Sequence, residues 1–218
     1  VFEEERELTM MLIIDISGSN FFGSNSAFKN EYVTELAATL AFSATKNNDK
    51  VGLILFSDNV ELYIPPKKGK SHVLRIIREL LEFKSKSKKT DINVPLKFVS
   101  NILKNRSIAF IISDFISQDY SNSLKIFSSR HDVTGIRIYD KTEEIIPNLG
   151  IIDINDNETG KRITVNTSSK KIRRKYNEYY NSKRREFMDY FKRSGSGIIE
   201  CNTQDDYQKK LLKYFKSR

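Results

Sequence analysis

The sequence predicts an α/β fold: an open, mostly parallel sheet with helices on both faces. Three observations predict it. Continuous apolar runs at 8–15 (LTMMLIID), 51–56 (VGLILF) and 107–114 (SIAFIISD) have the length of strands buried on both faces. Stretches with helical apolar spacing alternate with them, the pattern of strand–helix–strand crossovers. With 14 Phe and 10 Tyr in 218 residues the chain can fill a core, which excludes disorder.

The elements follow in order. After the first strand, Phe28, Tyr32, Leu36, Ala37, Leu40 and Phe42 give helical spacing over 26–46, and Asn47-Asn48 stops it. The strand at 51–56 meets turn chemistry in Ser57-Asp58-Asn59, and 60–64 returns beside it. Ser71 opens a helix to about Phe83, with Val73, Ile76, Ile77, Leu80 and Leu81 on one face. Residues 84–89 (KSKSKK) read as a polar connection. A helix over 94–104 tolerates Pro95 in its first turn. Helix 120–129 and strand 133–139 come after the third apolar run. An added β-hairpin falls near 150–166, around the turn-like NDNETG. Residues 170–193 form a long basic helix with Ile172, Tyr176, Tyr179, Tyr180, Phe187 and Phe191 on its apolar side. Strand 197–200 and helix 205–216 finish the chain.

Composition removes several function classes. One cysteine, Cys201, excludes a disulfide framework and a zinc cluster, and reads as a core thiol. Two histidines, His72 and His131, exclude multi-histidine metal chemistry; His131 reads as structural and His72 as a surface residue. No apolar stretch is long enough to span a membrane. The net charge of +9 is uneven: residues 1–160 hold 20 Lys+Arg against 22 Asp+Glu, whereas 161–218 hold 17 against 6. That asymmetry admits a nucleic-acid or anionic-surface binder working through 170–193. A solvated face of a surface helix is the preferred reading.

In such sheets ligands sit beyond the carboxyl ends of the strands. There the first strand delivers Asp15-Ile16-Ser17-Gly18-Ser19 into a loop, and the third apolar run ends in Asp114. Thr90-Asp91 precedes the helix that contains Leu96. Two carboxylates and three hydroxyls form an all-oxygen set, suited to a hard divalent cation: Mg2+ first, Mn2+ or Ca2+ next. With neutral hydroxyls innermost, such an ion attracts one more anionic ligand, an Asp or Glu carboxylate from a protein partner. Asp91 reads first as a helix cap, and Phe21 and Phe22 either pack under the loop or form an apolar rim; all three are candidate partner contacts.

At these residues the sequence resembles the von Willebrand factor type A (vWA) domain. Its metal-ion-dependent adhesion site (MIDAS) is D-x-S-x-S after the first strand, a Thr on a later loop, and an Asp after the fourth strand. The resemblance implies a Rossmann-type sheet, direct ligation by Ser17, Ser19 and Thr90, and water-mediated roles for Asp15 and Asp114. Residues 2–20, 35–42, 49–57, 112–115, 131–133 and 156–160 resemble a bacterial branch of that group, domain-of-unknown-function family 58. This implies a non-catalytic protein-binding module, acting with a MoxR-type AAA ATPase in assembly or maturation of other proteins. It further implies one domain over 1–218, the C-terminal portion of a longer protein. Localisation is expected to be cytoplasmic, with membrane anchoring through a missing N-terminal segment as the alternative.

The enzyme alternative is a metal-dependent phosphohydrolase of the haloacid-dehalogenase type, with Asp15 as nucleophile. That chemistry wants an acid two residues on, where Ser17 stands. Ser17 is not in a G-x-S-x-G elbow either. Asp153-x-Asn155-x-Asn157 hints at a calcium loop, but Glu158 occupies the glycine position and Thr164 the closing glutamate position, so a hairpin turn suffices.

Overall fold

The computed structural model describes residues 8–17, 26–155 and 162–217. Six strands form one sheet: β1 (Thr9–Asp15), β2 (Lys50–Phe56), β3 (Val60–Lys67), β4 (Ile108–Ser113), β5 (Asp132–Tyr139) and β8 (Gly197–Asn202). Their order is β3-β2-β1-β4-β5-β8, with β3 antiparallel to β2 and every other pair parallel. Pro65 and Pro66 fall on β3, at the sheet's edge, where a missing N–H donor is tolerated. The hairpin is separate: β6 (Ile151–Asn155) pairs antiparallel with β7 (Arg162–Asn166). Asp153 accepts hydrogen bonds across it from Arg162 (2.7 Å) and Thr164 (2.6 Å). The 156–161 turn lies outside the described residues.

The strands alternate with α1 (Ser26–Lys46), α2 (Lys70–Glu82), α3 (Asn93–Ile102), α4 (Ser121–Ser128), α5 (Lys170–Arg193) and α6 (Tyr207–Lys216). Period-2 alternation inside each apolar run splits the core into two layers. Leu12 and Ile14 face the layer built with Leu36, Leu40, Ile76 and Leu211; Met11 and Ile13 face Leu96, Leu124, Phe187 and Phe191. A helix therefore covers each face, as the sequence predicts. Among the described residues, no helix is long and apolar enough to cross a membrane.

Packing corrects some sequence assignments. Phe42 is 40% exposed, because at 100° per residue it points away from the buried stripe of Leu36, Leu40 and Ala44. Leu81 and Tyr179 are exposed for the same reason, while Tyr180, Phe187 and Phe191 carry the burial of α5. Here α5 comes so close to β5 that a Cβ on Gly135 would lie 2.5 Å from the Phe191 ring. His72 is not a free surface residue: its Nε2 lies 2.9 Å from the Val51 carbonyl, tying α2 to β2. His131 is buried, accepts the Ser107 N–H at Nδ1 and packs on Phe127, while burial and then Arg130 push its pKa down. Cys201 is buried as expected.

Candidate metal centre

β1 and β4 are neighbours at the point where the sheet order reverses, so their carboxyl ends open one crevice. Their register pairs Ile14 with Ile112, which puts Asp15 beside Ser113. The Ser113 hydroxyl donates to Asp15 Oδ2 (2.6 Å), and the Ser17 N–H donates to Oδ1 (2.9 Å). The loop after β1 is tied to β2 by the Ile16 N–H to the Phe56 carbonyl (2.8 Å). Asp15, Ser17 and Asp114 are all buried.

The other half arrives from the loop before α3. Asp91 N–H donates to the Ser57 carbonyl (3.0 Å), fixing that loop to the end of β2. Thr90 is thereby set so that its hydroxyl lies 2.6 Å from the Ser17 hydroxyl, across 73 residues of sequence. Asp91 Oδ1 accepts from the Asn93 N–H (2.9 Å) and amide (3.0 Å), so it braces the turn into α3, although the N-cap position expected of it falls to Ile92.

Asp114 is aimed by an unusual turn. Phe115 has φ 60°, a conformation that costs a bulky residue about 1 kcal/mol or more. Its N–H donates to Ser113 Oγ (3.0 Å), and its ring stacks on Phe187 with centroids 4.3 Å apart. Asp114 Oδ1 then accepts the Ile116 N–H (2.9 Å). Ser117 joins the two halves: its hydroxyl lies 3.4 Å from both the Thr90 carbonyl and the Ile92 N–H, and its carbonyl accepts from Lys183 Nζ of α5 (3.2 Å).

Burial and the nearby Asp114 charge push the Asp15 carboxyl up to about 6, against the hydrogen bonds from Ser113 and Ser17 that favour its ionised form. Two neighbouring buried acids at the same edge as a pair of hydroxyls suit a hard divalent cation, which would reverse that penalty. Among the described residues no three His, Cys, Asp or Glu side chains converge. The donor set is instead mixed carboxylate and hydroxyl. Ser19, Phe21 and Phe22 lie outside the described residues.

Sequence reasoning passed over Ser113, Ser117 and the ion pair between buried Lys29 of α1 and Glu143 after β5 (3.3 Å). Burial and Asp114 push Glu143 up, while Lys29 opposes. Ser113 had a signal, standing one residue before the strand-end acid; Lys29 and Glu143 are 114 positions apart and had none.

An aerotolerance-related membrane protein from Bacteroides fragilis has a similar fold, with TM-score 0.61 and 17% identity over 97% of this chain and 100% of that one. BatB from Bacteroides thetaiotaomicron is similar at TM-score 0.60 and 14% identity, covering 96% and 98%. The SpRpn10 VWA domain follows at 0.50 and 9%, covering 97% and 95%. At these identities the likeness is one of fold. Uncharacterized proteins of Mycobacterium bovis and Mycobacterium tuberculosis are 24% identical over 159 residues, 72% of this chain and 50% of each relative. The chain thus spans about half the length of the curated relatives it matches. The family model described as "Protein of unknown function DUF58" matches residues 1–186, and the chain belongs to that family, in a vWA-like fold.

Proposed function

We propose that this chain is a metal-dependent protein-binding module rather than an enzyme. In this reading Asp15, Ser17, Ser19, Thr90 and Asp114 hold one divalent cation, Mg2+ first. Bound there, the ion supplies positive charge that a partner's Asp or Glu completes. Thr90 and Ser17 present neutral oxygens, Asp15 and Asp114 supply countercharge, and Ser113 and Ser117 keep these groups in place. The observation that carries the reading is the 2.6 Å approach of the Thr90 and Ser17 hydroxyls, with the Ser17 N–H on the buried Asp15 carboxylate and the Asp114 charge close enough to act on it.

Placement of the histidines speaks against hydrolysis. His72 contacts Val51 and His131 precedes Asp132, both at the amino ends of parallel strands, opposite the crevice. Neither can serve Ser17 as a general base. Four of the ten basic residues of α5 are likewise engaged in ion pairs: Arg174 with Glu178, Lys183 with Glu186, Arg184 with Glu200, and Arg193 with Asp189. This favours the metal edge over α5 as the recognition surface. On family resemblance, a MoxR-type AAA ATPase is the first partner to test.

Calorimetry tests the site. Mn2+ binding should disappear in Asp15→Ala and Ser19→Ala with circular dichroism unchanged; retained binding in both refutes the assignment. Capture of the ATPase should be lost with EDTA. Capture that ignores chelator and is lost on reversing Arg173, Arg174, Arg184 and Arg185 would favour α5 instead.

A further inference from the structure

The Lys84–Lys89 connection reads from sequence as a plain polar loop, yet it is built around a single carboxylate. Glu61 of β3 accepts the N–H of Lys86 (2.7 Å), the N–H of Ser87 (3.4 Å) and lies 2.9 Å from the Ser85 hydroxyl. Ser87 Oγ in turn accepts the Lys89 N–H (3.3 Å). Both serines turn inward. Lys84, Lys86, Lys88 and Lys89 are all exposed. Burial works against the Glu61 charge, but hydrogen bonds from Ser57, Lys86, Ser85 and Ser87 outweigh it and hold the carboxyl below its usual range. An ionised anchor thus orders the loop that carries four exposed lysines.

That loop runs directly into Thr90. Beside it a cleft of about 500 Å³ opens, lined by Lys89 of the loop, Lys183 of α5 and Ser117, and also by the carboxylates of Asp58 and Asp91. Lys183 is the one α5 cation tied to this edge, through the Ser117 carbonyl. Asp58 and Asp91 balance the two lysines of the cleft, and Lys183 is paired with Glu186 (2.9 Å), so the excess positive charge beside Thr90 belongs to the loop.

We propose that the Lys84–Lys89 loop forms an anion-reading extension of the metal site, and that the partner segment is an acidic peptide. One carboxylate would meet the metal, and further Asp or Glu side chains would lie along the lysines. The inference rests on the metal-dependent reading above. A peptide fits better than a nucleic acid, because the loop is continuous with Thr90 in a site whose missing ligand is a carboxylate.

Two labelled synthetic peptides test it: one with a single Glu in a Gly/Ser background, and one with that Glu followed by four Asp. With Mn2+ at low salt the acidic peptide should bind about tenfold tighter, within the range by which steering charges act. The advantage should shrink as salt rises, since exposed charges are screened. The quadruple variant Lys84→Gln, Lys86→Gln, Lys88→Gln, Lys89→Gln should remove the advantage while Mn2+ affinity stays unchanged. Glu61→Gln keeps every lysine but loses the anchor's charge, and should reduce the advantage part of the way. An undiminished advantage in the quadruple variant overturns the proposal. So does acidic-peptide binding that ignores EDTA, or duplex DNA outcompeting the peptide. Mn2+-dependent binding of both peptides with equal affinity overturns this inference alone, whereas failure to bind Mn2+ overturns the metal-site reading as well.

Discussion

Replacing Asp15 by Asn should stabilise the metal-free protein at neutral pH while abolishing its metal response. The Asp15 carboxyl titrates at about 6 in place of its ordinary 3.8, through burial and the Asp114 charge. A rise of about two units corresponds to about 3 kcal/mol, at ~1.36 kcal/mol per unit. The folded state holds this proton more tightly than the unfolded one. The penalty is therefore absent below 3.8, grows as pH rises, and is complete above about 6. Asparagine preserves the shape and can accept the Ser17 N–H, but its amide faces the Ser113 hydroxyl, which loses its acceptor; that costs about 1 kcal/mol. The net expectation is a gain of about 2 kcal/mol near neutral pH in EDTA, which crosses zero at about pH 4.5 and becomes a deficit of about 1 kcal/mol at lower pH, where only the lost Ser113 acceptor counts. Urea denaturation of both proteins across pH measures it, with all other titrating groups common to the pair. Saturating Mn2+ should reverse the order, because only the parent gains stability by ligand linkage. A variant less stable than the parent at neutral pH in EDTA, or a difference that persists unchanged at low pH, would refute the reasoning.

Other expectations follow from the same geometry. Thr90→Ala should lose measurable Mn2+ binding by calorimetry yet change stability by only about 1 kcal/mol, since it removes one hydroxyl pair. Mn2+ affinity should fall about tenfold per pH unit below pH 6, because binding needs the ionised Asp15; a flat profile there would argue against Asp15 in the site. Gly135→Ala should destabilise by about 1–3 kcal/mol in urea denaturation, as a methyl driven into the buried Phe187 and Phe191 rings has nowhere to go. Glu143→Gln should cost about 1–3 kcal/mol by leaving the Lys29 ammonium buried without its counterion, measurable by the same denaturation.

Legibility followed the range of the interactions involved. Strands and helices were readable because each is set by local periodicity: the runs at 8–15, 51–56 and 107–114 could only be covered on both faces, and they are. Errors at Phe42, Leu81 and Tyr179 share one cause. Apolar character placed them with the core, whereas helical phase decides which side a residue faces, and phase is blurred at the margins of a stripe. His72 was misjudged because its partner is a backbone carbonyl, invisible in any sequence pattern.

The candidate site divides along the same line. Asp15, Ser17, Thr90 and Asp114 were legible because strand ends and loop starts place them at one edge. The groups that hold them were not. Ser113 orients Asp15, Ser117 bridges the loops of Thr90 and Asp114, and Phe115 sustains a strained turn with its ring packed on α5. Each of these acts across elements distant in sequence. Together they make the crevice one mechanical unit with α5, since Phe187 and Lys183 of that helix grip Phe115 and the Ser117 carbonyl from two sides. The long basic helix then has a structural role that its charge does not announce: its apolar side shapes the turn that aims Asp114, and one of its lysines closes the rim. The basic surface that lies nearest the site instead comes from a six-residue loop whose lysines no helical pattern would have flagged, ordered by a glutamate on a neighbouring strand.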